Sequence, residues 1–300
     1  EQGFYVTANG LKSDVFKVSI REPFAEDAYE TITYPVVFHL IQDKTKVELG
    51  QGVGADIVNY AFNTIYNCFA RTAAFSPNGA DTKIRFRLAE YDPNGRKMEE
   101  KGINRYSLST SDLNNLNPEK IKNNPKICWD YKRYLNIWIV ENMGNSVSTP
   151  HYILNTADLN QIQGVSFEQL SLEEIEKQEY SLTDIGLIYG ARDFAIEDVG
   201  YPTQMGKFFG LLDTENQKED YCEDTFAYNT YKEPWNTALE GSNSRLKIST
   251  DGLIFYSVNI MDASSYKNTI SMDQVKRIRT ITDNCPHRWA WKSDWAFTGK

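Results

Sequence analysis

Tyr201-Pro-Thr-Gln-Met-Gly-Lys-Phe-Phe-Gly-Leu-Leu-Asp213 is the stretch on which the reading of this chain turns. Proline suits the first turn of a helix, where its missing N–H costs nothing, so Pro202 predicts a helix starting here. In that helix Thr203 and Lys207 lie one turn apart on a common face, with Gln204 beside the first. Gly210 is placed to bend the chain, and Asp213 returns three residues later. This is the spacing of a helical metal site, with two ligands one turn apart, an adjacent base, a glycine bend and a third ligand. The places are present and the residue types are wrong. Thr203 offers a neutral hydroxyl and Lys207 an ammonium where a dication should sit. Gln204 has the shape of glutamate without a basic oxygen, so it cannot take a proton from metal-bound water. Asp213 alone makes a weak site. The three histidines, His39, His151 and His287, lie far away in sequence and read as structural or surface residues. The residues therefore predict an ion pair between Lys207 and Asp213 across the bend, or two side chains that both point to solvent.

The rest of the composition sets bounds. Three hundred residues with 41% hydrophobic and 24% charged side chains can bury a sizeable core, in one large domain or two modest ones. A formal charge of -9 argues against nucleic acid, which needs clustered Lys and Arg. The basic cluster Lys276-Arg-Ile-Arg279 reads as the solvated face of a helix. No apolar run of about 18 residues exists to span a membrane. The chain begins at Glu1-Gln-Gly, as a trimmed or mature N terminus would, and shows no leader. Cys68, Cys128, Cys222 and Cys285 are far apart with no C-x-x-C pair, which fits two disulfides in an exported protein or four buried thiols in a cytosolic one.

Working outward, residues 1–30 are polar and read as an N-terminal extension, a strand followed by a linker. Thr33–Ile41 is β-branched and apolar, the pattern of a buried strand. Ile57, Val58, Ala61, Phe62, Ile65 and Phe69 recur at helical spacing. Residues 83–89 alternate as a strand, Asp92-Pro-Asn-Gly95 is a turn, and residues 107–126 form a loop or short helices. Tyr134–Val140 and Ile185–Tyr189 are further strands. Ser171-Leu-Glu-Glu174 and Ser271-Met-Asp-Gln274 are capping boxes, each opening a helix. Residues 214–258 have little periodicity. The expected fold class is α+β, with an upper lobe over 31–212 holding a sheet and the helix at 201, and an irregular lower lobe over 213–300.

The spacing at 203–213 is that of H-E-x-x-H-x-x-G-x-x-H, and the chain resembles the metzincin metallopeptidases, in particular their pappalysin-like branch. Asn259-Ile-Met-Asp262 looks like the Met-turn beneath the metal, with Met261 as its methionine. Asp220-Tyr-Cys-Glu-Asp-Thr225 is similar to a C-x-D-T-P segment of that branch, with Phe226 in place of proline. Tyr34–Ile41, Ile84–Ala89 with Gly102-Ile103, and Tyr134–Ile139 resemble its first three strands in order, and Asp273–Arg279 its C-terminal helix. The resemblance implies a two-lobed fold with a twisted mixed sheet. It implies a secreted or cell-surface, periplasmic or lipid-anchored protein, calcium near Asp224 and Thr225, and pairing of Cys222 with Cys285 and Cys68 with Cys128. Peptide would lie extended along an edge strand near Val147 and Thr149. Because Thr203, Lys207, Asp213 and Gln204 replace the ligands and base, the chain is expected to hold no zinc and, calcium aside, no cofactor, to lack proteolytic activity and to bind a peptide or protein in a relic cleft. An active peptidase with unusual ligands and an unrelated extracellular binding domain are the alternatives.

Overall fold

The computed structural model describes residues 2–13, 16–18, 22, 25, 27–72, 79–143, 152–155, 162–195, 200–215, 219–228, 246–250, 252, 254–264 and 267–300. The chain divides into two compact units, Glu1–Glu30 and Thr31–Lys300. In the first, Gln2–Phe4 pairs antiparallel with Phe16–Val18, and Thr7–Ala8 with Leu11–Lys12. Asn9 and Gly10, at φ 50° and 79°, form the tight turn of this inner hairpin.

The second unit is built on β1 (Ile32–Asp43), whose side chains are buried on both faces along almost its whole length. That two-sided burial is why its sequence reads as a continuous apolar run rather than an alternation. On one side β1 pairs with β2 (Ile84–Leu88) through Ile32–Val36, and with β3 (Ile103–Leu108) through Phe38–Asp43. On the other it pairs with β4 (Leu135–Val140), which in turn pairs with β5 (Gly186–Gly190). All of these pairings are parallel, so the antiparallel member of a mixed sheet is not among the described strands of this sheet. Pro35, a residue that cannot donate to a ladder, precedes Val36, where pairing to β4 begins.

Helix α1 (Ala55–Phe69) buries Val58, Ala61, Ile65, Cys68 and Phe69 along one stripe and lies against the helix at 201. Phe69, Tyr34, Phe86 and Phe209 pack edge to face and tilted, with centroids 5.2–6.4 Å apart, between α1 and the sheet. A second cluster around Trp138, Ile188, Ile127 and Leu182 fills the other side. Residues 107–126 form two short helices, Thr110–Asn114 and Pro118–Lys122, each with a side-chain N-cap. Both expected capping boxes are closed, at Ser171 with Glu174 and at Ser271 with Gln274. Among the described residues no helix is long and apolar enough to cross a membrane.

Two expectations are corrected. The four cysteines are free thiols. Cys68 donates to the Lys267 carbonyl at 3.3 Å, Cys222 neighbours Asp220, and Cys285 packs with Tyr152 and Ile281, so each is committed to a separate environment. The basic cluster is not a solvated face either. In α3 (Met272–Asn284) Lys276 is exposed, but Arg277 and Arg279 are buried.

Candidate functional site

Helix α2 (Tyr201–Phe208) begins after Gly200 with Pro202 in its first turn, as the sequence predicts. It ends at Phe209, and Gly210 turns the chain at φ +93°. A Cβ there would meet Ile281 Cγ1 at 2.7 Å, so this position requires glycine for both backbone and space. The bend sends Leu211–Thr214 back along the helix and brings Asp213 to Lys207. The Lys207 ammonium stands 2.8 Å from Oδ1 and 3.0 Å from Oδ2 of Asp213, gripping both carboxylate oxygens. Their side chains are 19% and 27% exposed, which places the pair in a partly dry setting rather than at the free surface.

At the other end of the same helix face, the Thr203 hydroxyl donates to the Ile260 carbonyl at 2.6 Å and accepts from the Lys267 ammonium at 3.0 Å. Lys267 carries no spacing signal and sequence reasoning missed it. Its contribution comes from a loop about sixty residues downstream that folds under α2. Gln204 is half-buried between these two positions.

The turn holding Met261 lies beneath α2. A Cβ on Gly206 would stand 3.0 Å from Met261 Sδ and 3.1 Å from Ile260 Cδ1, so helix and turn touch closely. The turn is fixed from both sides. Asn259 Oδ1 accepts from the Met261 N–H at 2.9 Å, and the Asn259 and Gln274 amides exchange hydrogen bonds at 2.8 and 3.0 Å. Buried Asp262 accepts from Thr214 at 2.5 Å and from Ser257 at 2.7 Å, tying the turn to the segment that carries Asp213. Burial pushes the Asp262 carboxyl above its ordinary range.

Asp224 and Thr225 are engaged with the protein itself. Asp224 accepts from Ser271 Oγ at 2.6 Å and from the Asp273 N–H at 3.0 Å, which caps the start of α3. Thr225 donates toward Asp220 at 2.8 Å and the Cys222 carbonyl at 2.9 Å. Val147 and Thr149 lie outside the described residues, as does His151. His39 is buried in the sheet, its Nε2 hydrogen-bonded to Asn136 Oδ1 at 2.8 Å and its Nδ1 accepting from Asn104 at 2.9 Å. His287 packs between Tyr131 and Tyr180. Burial lowers both imidazoles to a pKa of about 4, so both are neutral structural groups at pH 7.

The donor set does not fit zinc. One candidate ligand is a hydroxyl whose proton and lone pair are both in use, the second is an ammonium, and the third is a carboxylate bound to that ammonium. A dication placed there would face Lys207 and Lys267 at close range. Among the described residues no group of three or more His, Cys, Asp and Glu is arranged so that it could hold a metal ion.

A parallel sheet packed against α1, and a helix ending in a glycine bend, belong to a fold that the chain shares with solved mirolysin structures. Solved structures bear this likeness across nearly the whole chain. A promirolysin variant of Tannerella forsythia superposes with a TM-score of 0.54 at 20% identity, over 89% of this chain and 85% of that one. Mirolysin in complex with compound 9 gives 0.55 at 18% identity, over 90% and 99%. Mature mirolysin of Tannerella forsythia in complex with a cleaved peptide gives 0.52 at 20%, over 89% and 97%. The alternative of an unrelated fold is thereby excluded. No family model matches the chain, and no curated protein matches it in sequence.

Proposed function

We propose that this chain is a non-hydrolysing relative of the pappalysin-like metzincins, one that binds no zinc in its relic site and holds an extended peptide or protein segment in the adjoining cleft. The observation that carries this reading is the two-oxygen grip of Lys207 on Asp213. In the proposed alignment, this fixed monovalent cation and its counter-ion take the places of the second and third ligands, and the pair links helix to returning segment as a metal would. Gln204 supports the loss of catalysis, because an uncharged amide cannot accept the proton of an attacking water. Met261 beneath Gly206 fits the Met-turn of the family. One solved mirolysin structure holds a cleaved peptide, and this chain is proposed to hold an uncut one. Export from the cytoplasm and calcium near Asp224 remain part of this proposal through the family likeness alone.

The test is to restore the donors. A fourfold variant carrying Thr203→His, Gln204→Glu, Lys207→His and Asp213→His is titrated with zinc by calorimetry beside the parent. The reading expects one-to-one binding in the variant and none in the parent or in any single substitution. Equal zinc affinity in parent and fourfold variant would overturn the alignment on which the reading rests.

A further inference from the structure

One loop leaves two large aromatic rings open beside the segment that carries Asp213. Tyr221 is 42% exposed and Phe226 is 41% exposed. A Cβ on Gly164 would stand 2.2 Å from Tyr221 Cε2 and 2.7 Å from Leu212 Cδ1, so the ring and the leucine preceding Asp213 crowd one point. Farther along the loop, Tyr228 bridges in parallel to Glu215, and Phe226 and Asp213 each lie two residues before that bridge. Phe226 packs on Phe255 with centroids 4.7 Å apart, and Phe255 meets buried Tyr228 at 5.9 Å.

The loop holds these rings firmly. Tyr221 sits at φ 58°, a backbone conformation that a bulky side chain adopts only at a cost. Asp220 fixes it there, accepting from the Cys222 N–H at 3.2 Å and from the Thr225 hydroxyl at 2.8 Å. The Tyr228 hydroxyl accepts from the Ala263 N–H at 2.6 Å, which ties the far end of the loop to the turn after Met261. One exposed aromatic needs no explanation, whereas two on a pinned loop, one of them held against its backbone preference, mark a surface kept for contact. The two open rings together offer on the order of 200 Å². A stable protein partner takes roughly 800 Å² a side, so the patch is the size of one or two side chains rather than of a second copy.

We propose that Tyr221 and Phe226 form a side-chain subsite beside the relic metal position and take an apolar or aromatic side chain of a bound peptide. The inference rests on the peptide-binding reading above and adds the kind of residue that the chain selects. Leu212 supplies apolar surface next to Tyr221, and the two rings pack on such a side chain through their faces and edges.

The experiment uses the whole chain and a displayed library of random octapeptides, followed by fluorescence anisotropy with the enriched peptide. Enriched sequences are expected to share one aromatic or aliphatic position, and alanine at that position weakens binding about tenfold. This substitution probes the contact from the peptide side and leaves the fold untouched. Tyr221→Asn, which suits the left-handed backbone, and Phe226→Ser each weaken binding by a similar factor. Leu49→Ser, at an exposed position on another element, leaves it unchanged. Enrichment of arginine at the shared position, which the exposed Glu219 and Glu223 would favour, overturns the inference and leaves the peptide-binding reading standing. Binding indifferent to both ring variants does the same. Self-association of the parent that Phe226→Ser abolishes also overturns it, in favour of a second copy. No enriched peptide at all overturns both readings.

Discussion

Replacing Lys207 by methionine removes the ammonium from Asp213 while keeping most of the apolar stem, and replacing Asp213 by leucine removes the other partner. The two single variants and the double variant make a cycle that isolates the pair. At about 4 Å and an effective dielectric near 20, two unit charges attract by about 4 kcal/mol before desolvation. Exposed pairs retain roughly 0–1 kcal/mol of this, and breaking fully buried pairs costs about 3–5 kcal/mol. With side chains 19% and 27% exposed and both carboxylate oxygens engaged, the pair falls between these limits. A coupling of about 1–2 kcal/mol is expected. The assay is equilibrium urea unfolding with unchanged slope across the four proteins, repeated at high salt, where partial burial should preserve most of the coupling. A coupling below about 0.3 kcal/mol would mean the two side chains act independently, and the metal-substituting role of the pair would fall.

Gly210→Ala should destabilise by roughly 2–3 kcal/mol through the positive φ and the clash with Ile281, measured by urea midpoint; a neutral result would show that the bend is not as described. His39, buried and neutral with a pKa of about 4 against 6.5 in the open chain, contributes stability that is fully present above about pH 6.5 and lost as pH falls toward 4. The loss amounts to about 3 kcal/mol, His287 adds to it in the same direction, and Asp262, raised by burial, works the other way. His39→Gln should therefore show a smaller drop in urea midpoint between pH 7 and 4.5 than the parent, and an identical drop would refute the assignment. Met261→Ala should cost about 2–5 kcal/mol by opening a cavity under Gly206, and a negligible effect would detach the turn from the helix.

What was legible in the sequence is what local periodicity and end chemistry dictate. β1 and β4 announce themselves because both faces are buried, α1 because its apolar stripe has a single period, and α2 because Pro202 and Gly210 punctuate it. The Lys207–Asp213 pair was legible for the same reason: residues six apart across a glycine bend have few other places to go. β3 was only partly visible, since Ile103 alone among its residues is fully buried and Asn104, Arg105 and Ser107 between the apolar positions are polar. The cysteine pairing, taken from the family resemblance, failed because a likeness of fold does not bring four separated side chains together, and the even count had left four buried thiols open. Arg277 and Arg279 misled for a different reason. Charged residues on a helix normally face water, and only the distant carbonyl of Gly210, invisible in sequence, explains why Arg277 turns inward. Lys267 and Arg288 were missed likewise, because their partners lie about 60 and 80 residues away.

The central claim is that two lysines and a committed hydroxyl have displaced the chemistry of a zinc site without disturbing its scaffold. The most direct measurement is the metal content of the protein purified from zinc-supplemented growth, read beside its activity on unfolded protein substrates. The account predicts no stoichiometric zinc and no cleavage, with or without a chelator. One zinc per chain, with proteolysis that a chelator abolishes and zinc restores, would contradict it.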